Sequence, residues 1–143
     1  LGTTTGWAVS VDGLVSSGSQ SFKPTRFEGA GMRFLKFKRF LSDLKGNTDG
    51  FDMVIFEEVR RHRGVDAAHA YGGFMAHLTA WCEHHQIPYK AEPVQSIKIY
   101  WTGKGNANKQ AMFDRALAKG YTPADDNEAD AIALLHLAME DHR

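Results

Sequence analysis

Phe51-Asp52-Met53-Val54-Ile55-Phe56-Glu57-Glu58-Val59 is a short apolar run that turns acidic at its carboxyl end. Its length and apolar continuity predict a buried central strand of an α/β sheet. In such sheets chemistry gathers beyond the carboxyl ends of the strands, which is where Glu57 stands. A strand alternates its faces, so Glu57 and Glu58 point in opposite directions, one towards a site and the other towards solvent or a helix. A plain solvated strand end is the competing reading of the same two residues. A basic loop, Arg60-Arg61-His62-Arg63-Gly64, follows directly.

Upstream, Trp7-Ala8-Val9-Ser10-Val11 alternates as a strand, and Asp12-Gly13 is a hairpin turn leading into a return strand from Leu14 to Phe22. Gly2-Thr3-Thr4-Thr5-Gly6 reads as a turn, or as a tight loop whose backbone and hydroxyl donors suit a phosphate. A helix is expected from Arg26 to Leu44, with Phe27, Phe34, Leu41 and Leu44 on one face and Gly46-Asn47 ending it. Downstream, the spacing of Ala70, Phe74, Leu78, Trp81 and Cys82 predicts a helix from Ala67 to His85. A strand at Ile87-Pro88-Tyr89, a helical turn or two from Val94 to Trp101, and a helix from Lys109 to Lys119 follow. Pro123 and Asp125-Asp126-Asn127 open a last helix running through Glu140. The expected architecture is a mixed sheet with an antiparallel hairpin at one side and helices on both faces, in a single domain over residues 1–143.

The 143 residues, 43% of them hydrophobic, suffice for a core without disulfides or structural metal. Seventeen Lys and Arg balance 17 Asp and Glu, which excludes a histone-like basic protein and an acidic tail but leaves room for local patches. The single cysteine, Cys82, excludes a disulfide scaffold and a cysteine-cluster zinc site. No run approaches the ~18 apolar residues of a membrane span. No His-Glu-x-x-His pattern offers a zinc protease. A cytoplasmic protein is the expectation. The sequence begins at Leu1 without an initiator Met, so a preceding segment is expected.

In Asp125-Asp126-Asn127-Glu128-Ala129-Asp130, the first acids suit a helix cap and the helix dipole. Asp130 fits that account less well, because it opens the apolar Ala131–Leu135 stretch that should pack inward. Asp126 and Asn127, four and three residues earlier, share its helix face. A partly buried carboxylate with oxygen neighbours calls for a cation, and hard oxygen ligands suit Mg²⁺ or Mn²⁺. Lys104 and Lys109 bracket a Gly/Asn loop containing Asn106 at a helix start, a combination suited to phosphate. Arg60, Arg61 and Arg63 follow the Glu57 strand and are candidate substrate contacts, whereas Lys36 reads as part of a solvated face.

Together these pieces resemble the RuvC family of Holliday junction resolvases in the RNase H-like superfamily, and most of all its small phage or prophage members. Leu1-Gly2-Thr3-Thr4-Thr5-Gly6-Trp7-Ala8-Val9 is similar to the family's opening after its first catalytic Asp. Ile55-Phe56-Glu57-Glu58-Val59 matches the strand of its second acid. Gly103-Lys104-Gly105-Asn106-Ala107-Asn108-Lys109 matches its Gly-x-Gly-x-Ala-x-Lys loop, and Asn127-Glu128-Ala129-Asp130-Ala131 its last acidic helix. Each motif is weak, and their order along nearly the whole chain is fairly specific. There are two departures. The family's first Asp would immediately precede Leu1, and Asn127 stands where the family has an acid, which leaves Asn127 and Asp126 as alternative fourth ligands.

The resemblance implies an RNase H-like mixed five-stranded sheet and a homodimer that cleaves branched DNA at four-way junctions, possibly also forks or flaps. It implies a metal set of Glu57, Asp130 and Asn127 or Asp126 holding two Mg²⁺ or Mn²⁺ ions for phosphodiester hydrolysis. It places Arg60, Arg61, Arg63, Lys104, Asn106 and Lys109 against the DNA, and part of the 67–85 helix, with Tyr71, Phe74, Met75, Leu78 and Trp81, at the dimer interface. Two other readings compete. One is a non-catalytic branched-DNA binding module on the same fold. The other is a fragment of an actin, Hsp70 or sugar-kinase phosphotransferase, whose phosphate loop has a similar Gly-Thr-Thr run but whose chains are much longer.

Overall fold

A computed structural model describes residues 1–142 of the chain. Its elements run β1 (Thr4–Val11), β2 (Leu14–Ser21), α1 (Met32–Asn47), β3 (Val54–Glu58), α2 (Val65–His84), β4 (Tyr89–Pro93), α3 (Val94–Thr102), α4 (Lys109–Ala118) and α5 (Asp126–Asp141). β1 pairs with β2, and β3 with β4. The expected five-stranded sheet is therefore corrected: the described residues hold four strands in two separate pairs. The fifth strand came from the resemblance, and the sequence itself contains only four strand-like runs.

The chain forms two compact units, one made of Leu1–Thr4, Ser21–Val54 and Val59–Lys90, the other of Thr5–Gln20, Ile55–Glu58 and the residues from Ala91 on. The first unit is an aromatic core between α1 and α2. Phe74 meets Phe34 and Phe37 edge-on at 5.0 and 5.1 Å between centroids, and Phe22 packs on the same group. Gly73 lets Phe34 lie against the α2 backbone, because a Cβ there would run into the Phe34 ring. Trp81 donates its indole N–H to Ser42 Oγ across the helix pair at 3.2 Å. Tyr71, Phe74, Leu78 and Trp81 are buried within this unit, and of the five residues assigned to a dimer face only Met75 is exposed. Those four side chains are packed inside the unit, Phe74 against α1, and are not available to a dimer face.

Two element boundaries in this unit also differ from expectation. α1 begins at Met32 instead of Arg26, because a turn closed by Glu28 N–H donating to Thr25 O and the Gly29 and Gly31 pair keep residues 25–31 out of the helix. Phe27, placed on the apolar helix face by periodicity, is 84% exposed. The strand expected at Ile87-Pro88-Tyr89 starts only at Tyr89, since Ile87 N–H is committed to the carbonyl of Cys82, closing α2, and Pro88 has no N–H to give.

In the second unit α3, α4 and α5 close around Ile97, Trp101, Ala107, Met112, Ala116, Ala129, Ile132 and Ala133. Ala116, Ala129 and Ala133 are fully buried, and their small side chains allow close helix approach. Trp101 satisfies its indole N–H on the carbonyl of Met112 at 3.2 Å. The β1–β2 hairpin turns at Asp12 and Gly13, both at positive φ (52° and 82°), as the Asp-Gly pair predicts. β1 starts at Thr4, so Thr4-Thr5-Gly6 is strand and not the turn that its composition suggests.

Candidate active site

The start of α5 is fixed by reciprocal capping. Asp125 Oδ1 accepts from Glu128 N–H at 2.8 Å, while Glu128 Oε1 accepts from Ala124 N–H at 2.9 Å. β2 docks on the same turn: Ser17 Oγ donates to Glu128 Oε2 at 2.7 Å and Ser19 Oγ to Asp125 Oδ2 at 2.6 Å. Asp125 and the buried Glu128 are thus consumed in holding the helix. Gly6 of β1 then lies directly against the backbone of Asn127, where a Cβ would overlap the Asn127 carbonyl. Gly6→Ala is expected to push the first turn of α5 off β1 and cost roughly 1–3 kcal/mol, read as a lower urea midpoint together with reduced activity.

This scaffold sets Asp126, Asn127 and Asp130 on α5 in the same unit as Glu57, which is half-buried near the end of β3. Burial pushes the Asp130 carboxyl up to about 7, and the neighbouring charges of Glu57 and then Asp126 push in the same direction. Lys98 on α3 and Lys109 on α4 pull it down in part. Glu57 and Asp126 are thus both within electrostatic range of Asp130. Asp126 itself pairs with the exposed Lys109 at 3.3 Å. Asn127 shares the turn and offers an amide oxygen.

Among the described residues, no three Asp, Glu, His or Cys side chains form a ready-made cage for an ion. The donor set here is oxygen-only and includes an amide, with one acid held by a lysine. A half-buried carboxylate in the field of two others nevertheless suits a doubly charged cation, which turns their repulsion into attraction.

Of the candidate DNA contacts, Lys109 lies beside the acids, while Lys104 and Asn106 are exposed in the loop between α3 and α4. Arg60, Arg61 and Arg63 are exposed in the segment between β3 and α2, which belongs to the other unit. Lys98 was not singled out from sequence. The one available signal was its place on a short helix just ahead of the Gly/Asn loop.

The chain superposes on Thermus thermophilus RuvC with a TM-score of 0.70, at 20% sequence identity, over 98% of this chain and 90% of that one. The fold is that of RuvC. A second solved structure, T. thermophilus RuvC in complex with a Holliday junction substrate, matches with a TM-score of 0.73 at 17% identity, covering 93% of this chain and 86% of that one. No family model and no curated protein sequence matches the chain. The likeness to RuvC is thus carried by three-dimensional structure, together with the ordered motifs.

Proposed function

We propose that this chain is a metal-dependent endonuclease that cuts branched DNA, with four-way junctions as its substrate class. The observation that carries the reading is the negative charge of Glu57 and Asp126 acting on the half-buried Asp130, in a chain with the fold of RuvC. A solved neighbour holds a Holliday junction substrate, which supports the same substrate class here.

In this reading Glu57, Asp130 and either Asn127 or Asp126 hold divalent ions, Mg²⁺ or Mn²⁺. Bound ions of this kind polarise a phosphodiester and lower the pKa of an attacking water. Glu57 and Asp130 supply the charge that retains the cation. The capped α5 turn and Gly6 fix where the ligands stand. Lys109 neutralises Asp126 and keeps it in place. Lys104, Asn106, Arg60, Arg61 and Arg63 hold flanking phosphates, which position the substrate without reading sequence. Two copies act together, one site for each of two strands, through a surface other than the buried stripe of α2.

The test is a cleavage panel of four-way junction, fork, flap, linear duplex and RNA–DNA hybrid with Mg²⁺ or Mn²⁺. The expected result is cutting of the junction at least tenfold faster than of the duplex, abolished by EDTA. Tight junction binding without cutting in either metal would favour the non-catalytic binding module, the reading to which Asn127 in place of an acid lends support.

A further inference from the structure

The segment from Phe22 to Gly31, between β2 and α1, contains two phenylalanines with opposite fates. Phe22 is 2% exposed, packed on Phe37, Phe40 and Phe74, with its N–H bonded to the carbonyl of Thr3 at 2.7 Å. Five residues later Phe27 is 84% exposed. It is not on a loose tether. Glu28 N–H donates to Thr25 O at 3.1 Å, and Thr25 N–H donates back to Glu28 Oε1 at 2.8 Å. Lys36 on α1 clamps the turn from below, donating to Glu28 Oε1 at 2.7 Å and to the carbonyl of Lys23 at 3.3 Å. The apex of this braced turn is Arg26-Phe27, with the Arg26 guanidinium 4.7 Å from the centre of the Phe27 ring.

The stretch of chain that carries the turn is strongly basic. Residues 23–39 carry Lys23, Arg26, Arg33, Lys36, Lys38 and Arg39 against the single acid Glu28, in a chain whose net charge is zero. An exposed aromatic ring with a guanidinium beside it, on a cationic surface, has the chemistry of a stacking platform for a nucleobase whose phosphates are held by the neighbouring cations. A hydrophobic protein partner would use the ring, but it would leave the cations without counter-charge.

We infer that the Arg26-Phe27 turn is a binding site for unpaired nucleotides, with Phe27 stacking on an exposed base and the exposed Lys23 and Arg26 holding the adjoining phosphates. This deepens the branched-DNA reading and rests on it for the source of the strand: forks and flaps carry unpaired bases beside the point where their duplex arms meet.

The test is fluorescence anisotropy of the full chain with a ~20-nucleotide oligo(dT), a blunt duplex of the same length and a four-way junction, comparing wild type, Phe27→Ala and Phe27→Trp. Phe27→Ala is expected to weaken oligo(dT) binding roughly tenfold while changing duplex binding less than about twofold, and Phe27→Trp is expected to retain oligo(dT) affinity. The melting temperature of Phe27→Ala should match the parent's, because the ring is exposed. Unchanged oligo(dT) binding by Phe27→Ala, or equal losses on single strand and duplex, would overturn the site. So would a Phe27→Ala variant that changes only the oligomeric mass, which would make the ring a contact between copies. Junction cleavage by the wild type separates the two claims. Cleavage with unchanged oligo(dT) binding by Phe27→Ala refutes this site alone. A selective loss on oligo(dT) without junction cleavage supports the site and refutes the nuclease reading.

Discussion

Asp130→Asn is expected to lower four-way junction cleavage by ~10³-fold or more while junction affinity stays within about twofold. The substitution keeps the size of the side chain and its place on α5 but removes the negative charge that would retain a divalent ion. A metal contribution of several kcal/mol to transition-state stabilisation corresponds to three decades in rate or more. Affinity is a separate quantity, because in the proposed reading phosphates would be held by cations such as Lys104 and Arg61 and not by the acids. Single-turnover cleavage in Mg²⁺ and anisotropy in Ca²⁺ read the two quantities apart. An Asp130→Asn rate within tenfold of the parent's would remove Asp130 from the site.

The same substitution is expected to stabilise the metal-free protein, in a pH-dependent way. Burial, then Glu57, then Asp126 raise the Asp130 carboxyl from its ordinary 3.8 to about 7. Between those values the folded protein holds a proton that the unfolded chain has released, so stability falls as pH rises through the window. Below about pH 4 the group contributes nothing, and above about pH 7 the full penalty stands, on the order of 2–4 kcal/mol at a partly buried site. In EDTA, Asp130→Asn should therefore melt roughly 5–15 °C above the parent at pH 8, with the two curves converging towards pH 4. Millimolar Mn²⁺ at pH 8 should raise the parent's melting temperature and leave the variant's nearly unchanged. Parallel melting-temperature curves for the two proteins across pH 4–8 would mean that Asp130 is not strained by its neighbours.

Much of this site was legible in the sequence because its parts are local. An apolar run ending in Glu57 is a strand end, and an acid at the start of an apolar helical stretch, Asp130, stands out against ordinary capping. The Asp125 cap and the Asp-Gly hairpin also announce themselves within a few residues. What was not legible depends on contacts far apart in the chain. Nothing near Ser17 or Ser19 says that they bond Glu128 and Asp125, more than a hundred residues away. Nothing near Gly6 says that its missing Cβ makes room for Asn127. The misplaced start of α1 has a local cause: periodicity placed Phe27 on a helix face, while the reciprocal Thr25–Glu28 bonds and two glycines favour a turn. The apolar residues of α2 fit a dimer face on sequence alone because the aromatic demand of α1 is invisible until Phe34 and Phe37 are seen against Phe74.

The central claim is that Glu57 and Asp130, from a strand and a helix far apart in sequence, form one cation-holding site. Calorimetric titration of Mn²⁺ into the parent, Glu57→Gln, Asp130→Asn and the double variant tests it most directly. Two ligands of the same ion are not additive, since losing either forfeits most of what the pair provides. The account predicts that each single variant loses Mn²⁺ binding at least tenfold and that the double variant loses little more than the worse single one. Single-variant losses that simply add, or Mn²⁺ binding undiminished in either variant, would contradict it.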